Sequence, residues 1–144
     1  MSSIRLRPAR FVDCLAVWRW NFAPDVRAHS ITQAEVPLAE HARWFSGRLA
    51  ASDPMWIVEE DCEPVGVVRL DREGESARIS IALGPEARGR QIGRRAIELA
   101  CKELGVPVTA QVASANHASR RCFEACGFAL ADRTAERITY RWSP

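Results

Sequence analysis

The chain has 144 residues, of which 47% are hydrophobic and 26% are charged, and its formal net charge is +2 at pH 7. This composition is typical of a packed globular protein and excludes a largely disordered chain. The near-balanced charge argues against a nucleic-acid partner, and the lack of an apolar run of about 20 residues argues against a membrane-spanning helix.

The first half of the chain predicts one strand, two helices and a three-stranded meander. Ile4 to Arg7 alternates apolar and basic residues as a half-buried strand does, whereas the apolar residues from Phe11 to Phe22 follow helical spacing. A second helix is expected to begin at Pro37, because proline suits the first turn of a helix, and to end at Asp53. The strands of the meander are predicted at Met55–Glu60, Val65–Leu70 and Ala77–Leu83.

The second half predicts helix, strand, helix and strand in alternation. The strongest helical pattern runs from Ile92 to Leu104 and is stopped by Gly105. The unit from Ile79 to Val112 is a βαβ crossover, which places two parallel neighbours in an otherwise largely antiparallel sheet. The expected fold class is therefore α/β with a mixed, mostly antiparallel sheet. The remaining elements are predicted at Val108–Val112, Asn116–Cys126 and Arg137–Trp142.

The cysteines and histidines show no pattern of metal ligands. The five cysteines lack paired CxxC spacing, and the three histidines lack a spacing such as HExxH. We therefore predict reduced thiols and no metal ion. The N-terminus shows no signal-peptide pattern, so residues 1–144 are expected to form a single cytoplasmic domain.

A turn rich in arginine and glycine separates the third strand of the meander from the Ile92 helix. It contains Arg88, Gly89, Arg90 and Gly93. Unpaired N–H groups and the positive end of the helix dipole make a helix start an anion site, and glycine lets the anion approach the backbone closely. We therefore expect a diphosphate to bind here. The structural alternative is an ordinary strand-to-helix turn with solvated arginines.

This turn and a later segment resemble the two signature motifs of the GNAT acetyltransferase superfamily. Arg88 to Gly93 is similar to motif A, Gln/Arg-x-x-Gly-x-Gly/Ala, with Gln91 in place of the first signature glycine. The resemblance implies a GNAT fold, with a central splayed parallel strand pair and about four helices, and an acetyl-CoA-dependent N-acetyltransferase. The residues that look like motif B are Asn116, Ser119, Phe123, Gly127 and Phe128.

The same resemblance assigns acetyl-CoA as the co-substrate and implies where it binds. The pyrophosphate is expected at the amides of the helix start, and the pantetheine arm is expected beside the third meander strand, where the parallel strands splay. The cofactor-binding residues so implied are Ile81, Leu83, Arg88, Gly89, Arg90, Gln91, Ile92, Gly93, Arg94, Asn116, Ser119 and Phe123.

The chemistry of the transfer points to a few candidate catalytic residues. Many members of the superfamily carry a tyrosine acid at the position of Phe123, which has no proton to donate. Protonation of the leaving thiolate then falls to Ser119, Cys122, a water or no residue, because a thiol with the acidity of cysteine leaves without full protonation. The candidates for deprotonating the acceptor amine are Ser80, which is alternatively a solvent-facing serine, and Glu59 or Glu60.

Aromatic segments in the front half resemble acetyltransferases that act on nucleotide-linked amino sugars, nearest to those of pseudaminic acid biosynthesis. The segments are Trp18 to Arg27 and Glu40 to Phe45, and Gly66 to Asp71 resembles a strand of the same group. This resemblance implies an acceptor pocket, whereas aromatic residues at helical spacing are alternatively core residues. The substrate-binding residues so implied are Trp20, Asn21, Arg27, His41, Trp44 and Arg69.

The expected function is transfer of an acetyl group from acetyl-CoA to a primary amine, with a nucleotide-linked amino sugar as the preferred acceptor. Acetylation of a protein N-terminal amine is the alternative among enzymes. A non-catalytic CoA-binding module is the alternative outside them, motivated by Phe123 and Gln91. The partner is expected to be a small-molecule amine, without nucleic acid or membrane, and the resemblance leaves the chain a monomer or a homodimer.

Overall fold

A seven-stranded mixed sheet runs through the part of the chain that the computed structural model describes, residues 2–22 and 36–144. Its strands are β1 (Ile4–Pro8), β2 (Met55–Glu60), β3 (Glu63–Glu73), β4 (Ser76–Leu83), β5 (Val108–Ala113), β6 (Ala129–Arg133) and β7 (Arg137–Trp142). Their spatial order is β1-β2-β3-β4-β5-β7-β6. Every neighbouring pair is antiparallel except β4 and β5, which are parallel.

In the described ranges, two pairs of helices cover the two faces of this sheet. The helices are α1 (Cys14–Phe22), α2 (Leu38–Ala50), α3 (Ile92–Leu104) and α4 (His117–Ala125). Val17 of α1 and Phe45 of α2 are buried against one face in a cluster with Ile57. Successive residues of a strand point to opposite faces, and Val58 accordingly belongs to the larger core under α3 and α4.

The parallel strands β4 and β5 diverge after only three residue pairs. The last pair joins Ile79 to Ala110, and beyond it Ser80–Leu83 and Gln111–Ala113 are no longer paired with each other. Each strand stays paired with its outer neighbour, β3 or β7, along the rest of its length. One backbone edge of β4 is therefore open toward the gap between the two strands.

The helix ends follow the chemistry of their terminal residues. Gly105 adopts the left-handed conformation (φ 68°) just after α3, and its N–H donates to the carbonyl of Cys101 at 3.0 Å. Asn116 caps α4, because its Oδ1 accepts from the N–H of Ser119 at 3.2 Å. The first cap fixes where α3 ends, and the second fixes where α4 begins, shortly after the strand that diverges from β4.

The predicted fold class is confirmed: the sheet is mixed and mostly antiparallel, its one parallel pair is splayed, and the described residues form four α-helices. The bounds predicted for β2, α3 and β7 agree with the structure. The first turn of the first predicted helix, Phe11–Asp13, is a 3-10 turn, and Pro85–Ala87 forms another. No helix in the described ranges is long and apolar enough to cross a membrane.

The sequence-based prediction missed β6 and underestimated β3. Ala129–Arg133 lies at the edge of the sheet and is exposed along its whole length, so it carries no apolar alternation that would mark a strand. β3 runs from Glu63 to Glu73 because its polar ends continue the hairpins with β2 and β4 beyond the apolar stretch Val65–Leu70.

Candidate active site

A small pocket, open to solvent, lies on the face of the sheet that α1 and α2 cover. Four residues predicted for acceptor binding or catalysis lie in its wall: Asn21, Trp44, Arg69 and Ser80. The structure thus brings together side chains from α1, α2, β3 and β4. The other described lining residues are apolar: Val17, Met55, Val67, Ile81 and Ala82.

Most of the apolar lining was not predicted from the sequence. Strand alternation would have found part of it, because Val67 shares a face of β3 with Arg69, and Ala82 shares a face of β4 with Ser80. No comparable signal marks Val17 of α1, since helix periodicity identifies it only as a core residue.

Arg69 is held at the pocket wall by three contacts. It lies opposite Ser80 in the β3–β4 register, and its Nη2 donates to Ser80 Oγ at 3.3 Å. Its Nε donates to Asp71 Oδ2 at 3.0 Å, and its Cζ lies 5.2 Å from the centre of the Trp44 ring, within cation–π range. The guanidinium group is therefore fixed in place while the side chain keeps 29% of its surface exposed.

Trp20 and His41 do not line the pocket. The Trp20 indole packs beside Gly84 at the end of β4, where an added Cβ would lie 3.0 Å from Trp20 Nε1. His41 is 2% exposed, its Nε2 lies 3.1 Å from the carbonyl oxygen of Cys14, and burial lowers its pKa. Its ring packs against the ring of Trp44, with 5.6 Å between their centres. Arg27 lies outside the described residues.

Neither of the two glutamates predicted as bases, Glu59 and Glu60, is among the described residues that line the pocket. Glu59 is buried and accepts hydrogen bonds from Arg7 and Arg5, each at 2.9 Å, and these bonds lower the pKa of its carboxyl group. A carboxylate held in this way is a poor proton acceptor. Glu60 forms an ion pair with Arg90. Ser80 is the one deprotonation candidate that faces the pocket.

The start of α3 is a helix N-terminus without a side-chain cap. Gln91 occupies the N-cap position with a left-handed backbone (φ 63°, ψ 11°), and its side chain makes no capping hydrogen bond. The N–H of Arg95 bonds the carbonyl of Gln91 at 3.2 Å, so the amides from Gln91 to Arg94 precede the hydrogen-bond ladder of the helix. These amides and the helix dipole make the turn suitable for an anion.

The arginines of this turn have partners in the protein. Arg88 donates to the carbonyl of Leu83 from both Nε (3.2 Å) and Nη2 (3.1 Å). Arg90 is paired with Glu60, and Arg94 is paired with Glu98 at 3.1 Å. The Arg94–Glu98 pair is about half exposed on both sides, and an ion pair of such groups contributes only about 0–1 kcal/mol. Arg94 can therefore exchange its carboxylate for a phosphate at little cost, and the Arg90 side chain is half exposed as well.

Gly93 joins the two predicted motifs in space. An added Cβ at this position would lie 3.3 Å from both Leu83 Cδ1 and Cys122 Sγ. The first turn of α3 thus contacts the open end of β4 and the middle of α4. Asn116 and Ser119 lie at the start of α4, which follows β5, so several of the predicted cofactor residues lie beside the gap between β4 and β5.

Phe123 is a core residue of α4. It is 3% exposed, and its ring centre lies 5.1 Å from Phe128 and 6.3 Å from Tyr140. Tyr140 is the only tyrosine of the chain, and its hydroxyl donates to Glu124 Oε2 at 2.7 Å. Burial, together with the bond to Glu124, raises the pKa of Tyr140. The Tyr140 proton is thus already engaged with Glu124, and Tyr140 is not among the described residues that line the pocket.

Two cysteines, Cys122 of α4 and Cys126 immediately after it, lie next to the start of α3. A hydrogen bond from Cys126 and the charge of Arg94 lower the pKa of Cys122, while Cys126 approaches the carbonyl oxygen of Arg94 at 3.4 Å. Neither thiol is among the described lining residues of the pocket. Over the ranges that the structure covers, no three side chains of the metal-binding types come together.

Comparison with known proteins assigns the chain to a family. The sequence profile described as "Acetyltransferase (GNAT) domain" matches residues 3–129, which is most of the chain. No curated protein matches the chain at a significant level.

Solved structures share the fold over nearly the whole chain. A domain from Methanocaldococcus jannaschii superposes with a TM-score of 0.85 at 23% identity, covering 99% of both chains. Spermidine N-acetyltransferase from Vibrio cholerae, in complex with CoA and spermine, gives 0.84 at 18% identity and covers 96% of this chain and 94% of that one. An aminoglycoside acetyltransferase, in complex with coenzyme A and kanamycin, gives 0.82 at 14%, covering 98% and 95%. At these identities the likeness concerns the fold.

Proposed function

The chain belongs to the GNAT acetyltransferase family and is an acetyl-CoA-dependent N-acetyltransferase, and we propose that its preferred acceptor is the amine of a nucleotide-linked amino sugar. The observation that carries this proposal is the composition of the pocket. Its described lining combines the aromatic face of Trp44, the cation Arg69 and the neutral polar groups of Asn21 and Ser80. Aromatic faces suit sugars and nucleobases, and a guanidinium group suits phosphate.

The residues present fit the acetyl-CoA co-substrate. The uncapped amides from Gln91 to Arg94, with Arg88 and Arg90 beside them, would hold the pyrophosphate. Arg88 occupies the carbonyl of Leu83, and the remaining hydrogen-bonding groups of the open backbone edge at Ile81 and Leu83 would face the pantetheine arm. The start of α4 lies on the other side of the gap. When bound there, the co-substrate supplies an activated acetyl thioester.

The protein must deliver the acceptor amine in its neutral form, because an ammonium group has no lone pair for attack. Ser80 is the hydroxyl in the pocket wall on the open strand, and Arg69 holds it from the opposite strand. We assign Ser80 to orient the amine, or the water that takes its proton. The amine nitrogen then forms the amide bond, the thiolate departs with the bonding electrons, and the proton goes to solvent. Phe123 offers no proton to that thiolate. Because the CoA thiol is as acidic as a cysteine, the thiolate can leave without being protonated.

The described lining does not favour the alternatives. A peptide N-terminus is best served by an open acidic groove, and the described residues of this pocket include no carboxylate. The alternative of a non-catalytic CoA-binding module rests on two departures from the family motifs, Gln91 and Phe123. Gln91 nevertheless keeps the left-handed backbone that a signature glycine readily adopts, and backbone N–H groups are what the phosphate needs.

The experiment that tests the proposal is release of free thiol from acetyl-CoA by the purified protein. The acceptor panel contains a UDP-linked 4-amino sugar, peptides with free N-termini, and polyamines. Turnover of the amino sugar alone supports the proposal. Turnover of peptides or polyamines alone refutes the acceptor class while leaving the enzyme class intact, and CoA binding without turnover of any amine supports the binding module.

A further inference from the structure

Three charged side chains at the pocket wall, Arg48, Arg69 and Asp71, form a group with a net positive charge. Arg69, which faces the pocket, is bound to Asp71, and Asp71 in turn accepts from Arg48 Nη2 at 3.1 Å. Two guanidinium groups share one carboxylate, so the group has a formal charge of +1. Arg69 therefore presents a positive field to the pocket even though it is ion-paired.

Arg48 fixes this group from behind. Its side chain is 9% exposed, and it donates to the backbone carbonyls of Asp53 at 2.7 Å and Leu70 at 2.9 Å. If Arg48 moved away, it would leave two part-buried carbonyl groups without a hydrogen-bond donor, which costs free energy. Arg48 therefore stays beside Asp71, on the side of the carboxylate away from the pocket. The arrangement holds Arg69 in position without cancelling its charge.

Arg69 meets no opposing charge among the described residues that line the pocket. It is the single charged side chain among the described lining residues, and the remaining polar ones are Asn21 and Ser80. Its Nη2 reaches Ser80 and its guanidinium group lies over the Trp44 ring, so an acceptor that enters the pocket beside Trp44 meets the guanidinium group. A polycation placed there would be repelled, with no carboxylate of the described lining to offset the repulsion.

We infer that Arg69 is the specificity-determining residue for an anionic group on the acceptor, and that Asp71 and Arg48 are the positioning residues that keep it charged and aimed. The inference rests on the proposed function, because a phosphate of a nucleotide-linked amino sugar is the anion that the site selects. Arg69 then works through substrate binding, and its loss raises KM for the phosphate-bearing acceptor more than it lowers kcat.

The test compares one amino sugar with and without its UDP group. Kinetics are measured for the wild type, R69Q, R69K and the control R72Q, which removes an exposed arginine of the same strand. We expect the wild type to prefer the UDP-linked sugar roughly 10- to 100-fold in kcat/KM, the range of one charge-assisted hydrogen bond. R69Q should reduce this preference to about threefold or less through KM, R69K should restore part of it, and R72Q should leave it unchanged.

A second arm separates this inference from the proposed function. Titration calorimetry measures binding of UDP and of uridine to the CoA-bound protein, which requires no acetyl transfer. If no amino sugar is turned over but UDP binds more tightly than uridine only when Arg69 is present, the acceptor class fails and the role of Arg69 stands. Equal binding of UDP and uridine, no binding of either, or a preference retained in R69Q overturns the inference.

Discussion

Arg69 and Ser80 face each other across the β3–β4 register, and the guanidinium group donates to the hydroxyl oxygen over 3.3 Å. This bond occupies one lone pair of the hydroxyl and leaves its proton and the other lone pair available to a third group. Ser80 lies one residue beyond the last β4–β5 pair, on the strand beside which we propose that the co-substrate binds. The contact therefore couples the acceptor pocket to the open strand.

Replacing Ser80 by alanine should lower kcat/KM for the acceptor roughly 10- to 100-fold, because the pocket loses the hydroxyl that orients the amine or its water. The affinity for acetyl-CoA should stay within about twofold of the wild type, since Ser80 offers it no side-chain contact in this account. Steady-state thiol release and calorimetry measure the two effects. The matched control is S76A at the far end of β4, where the hydroxyl bonds the carbonyl of Glu73 and activity should not change. Full activity of S80A would remove Ser80 from the mechanism.

Gln91 should be a strained position, because a residue with a Cβ is held at φ 63°. Q91G should raise the free energy of unfolding by about 0.5–1 kcal/mol. Glycine removes the strain of the left-handed backbone, and the greater entropy of the unfolded glycine chain offsets part of that gain. Thermal unfolding would show a rise of a few degrees. CoA affinity should be unchanged, because the backbone N–H remains. A destabilised Q91G, or one that loses CoA binding, would contradict this view of the turn.

Gly66 of β3 should tolerate no side chain. An added Cβ would lie 2.6 Å from the carbonyl oxygen of Ala82 and 2.6 Å from Leu83 Cδ2, so β4 would have to move. We expect G66A to destabilise the protein by about 2–3 kcal/mol and to weaken acetyl-CoA binding, since the displaced backbone is the open edge of β4. Chemical denaturation and calorimetry measure both.

The control for that substitution is G47A, the same chemical change in the middle of α2. An added Cβ at Gly47 meets no atom within 4 Å, so alanine should raise stability by about 0.5–1 kcal/mol through its helix propensity. If G66A and G47A behaved alike, the close approach of β3 to β4 would not be the cause.

His41 should make stability depend on pH in the mildly acidic range. Burial lowers its pKa below the ordinary value near 6.5, so below that pH the unfolded chain binds a proton that the native state does not. Stability is therefore complete above about pH 6.5 and falls as the pH is lowered, by less than about 1.4 kcal/mol per pH unit. Urea denaturation between pH 7 and pH 5 should show this slope in the wild type and a flatter one in H41Q. An unchanged slope in H41Q would exclude His41 as its source.

Much of the fold could be predicted because it depends on local patterns. The strong periodicity of Ile92–Leu104, the stop at Gly105 and the cap at Asn116 act over a few residues, and the structure has each of them where the pattern indicates. Ala129–Arg133 was missed because its strand conformation comes from pairing with β7 at the sheet edge and not from its own side chains.

The candidate site was less predictable, because it depends on which face of an element meets which neighbour. The sequence resemblance named both Trp44 and His41, but Trp44 is 39% exposed at the pocket while His41 is buried beneath it. Glu59 was a reasonable candidate base until its two arginine partners on β1 were known. These ion pairs join residues more than 50 positions apart, so no local sequence pattern predicts them.

The central claim is acetyl transfer from acetyl-CoA to the amine of a nucleotide-linked sugar, and one comparison tests it most directly. Thiol release from acetyl-CoA is measured with a UDP-linked 4-amino sugar and with the matching UDP-linked sugar that carries a hydroxyl group in place of the amine. The account predicts continuous thiol release with the amino sugar, none above background with the hydroxyl sugar, and a product acetylated on nitrogen by mass spectrometry. Equal release with both sugars, or none with the amino sugar while CoA still binds, would contradict it.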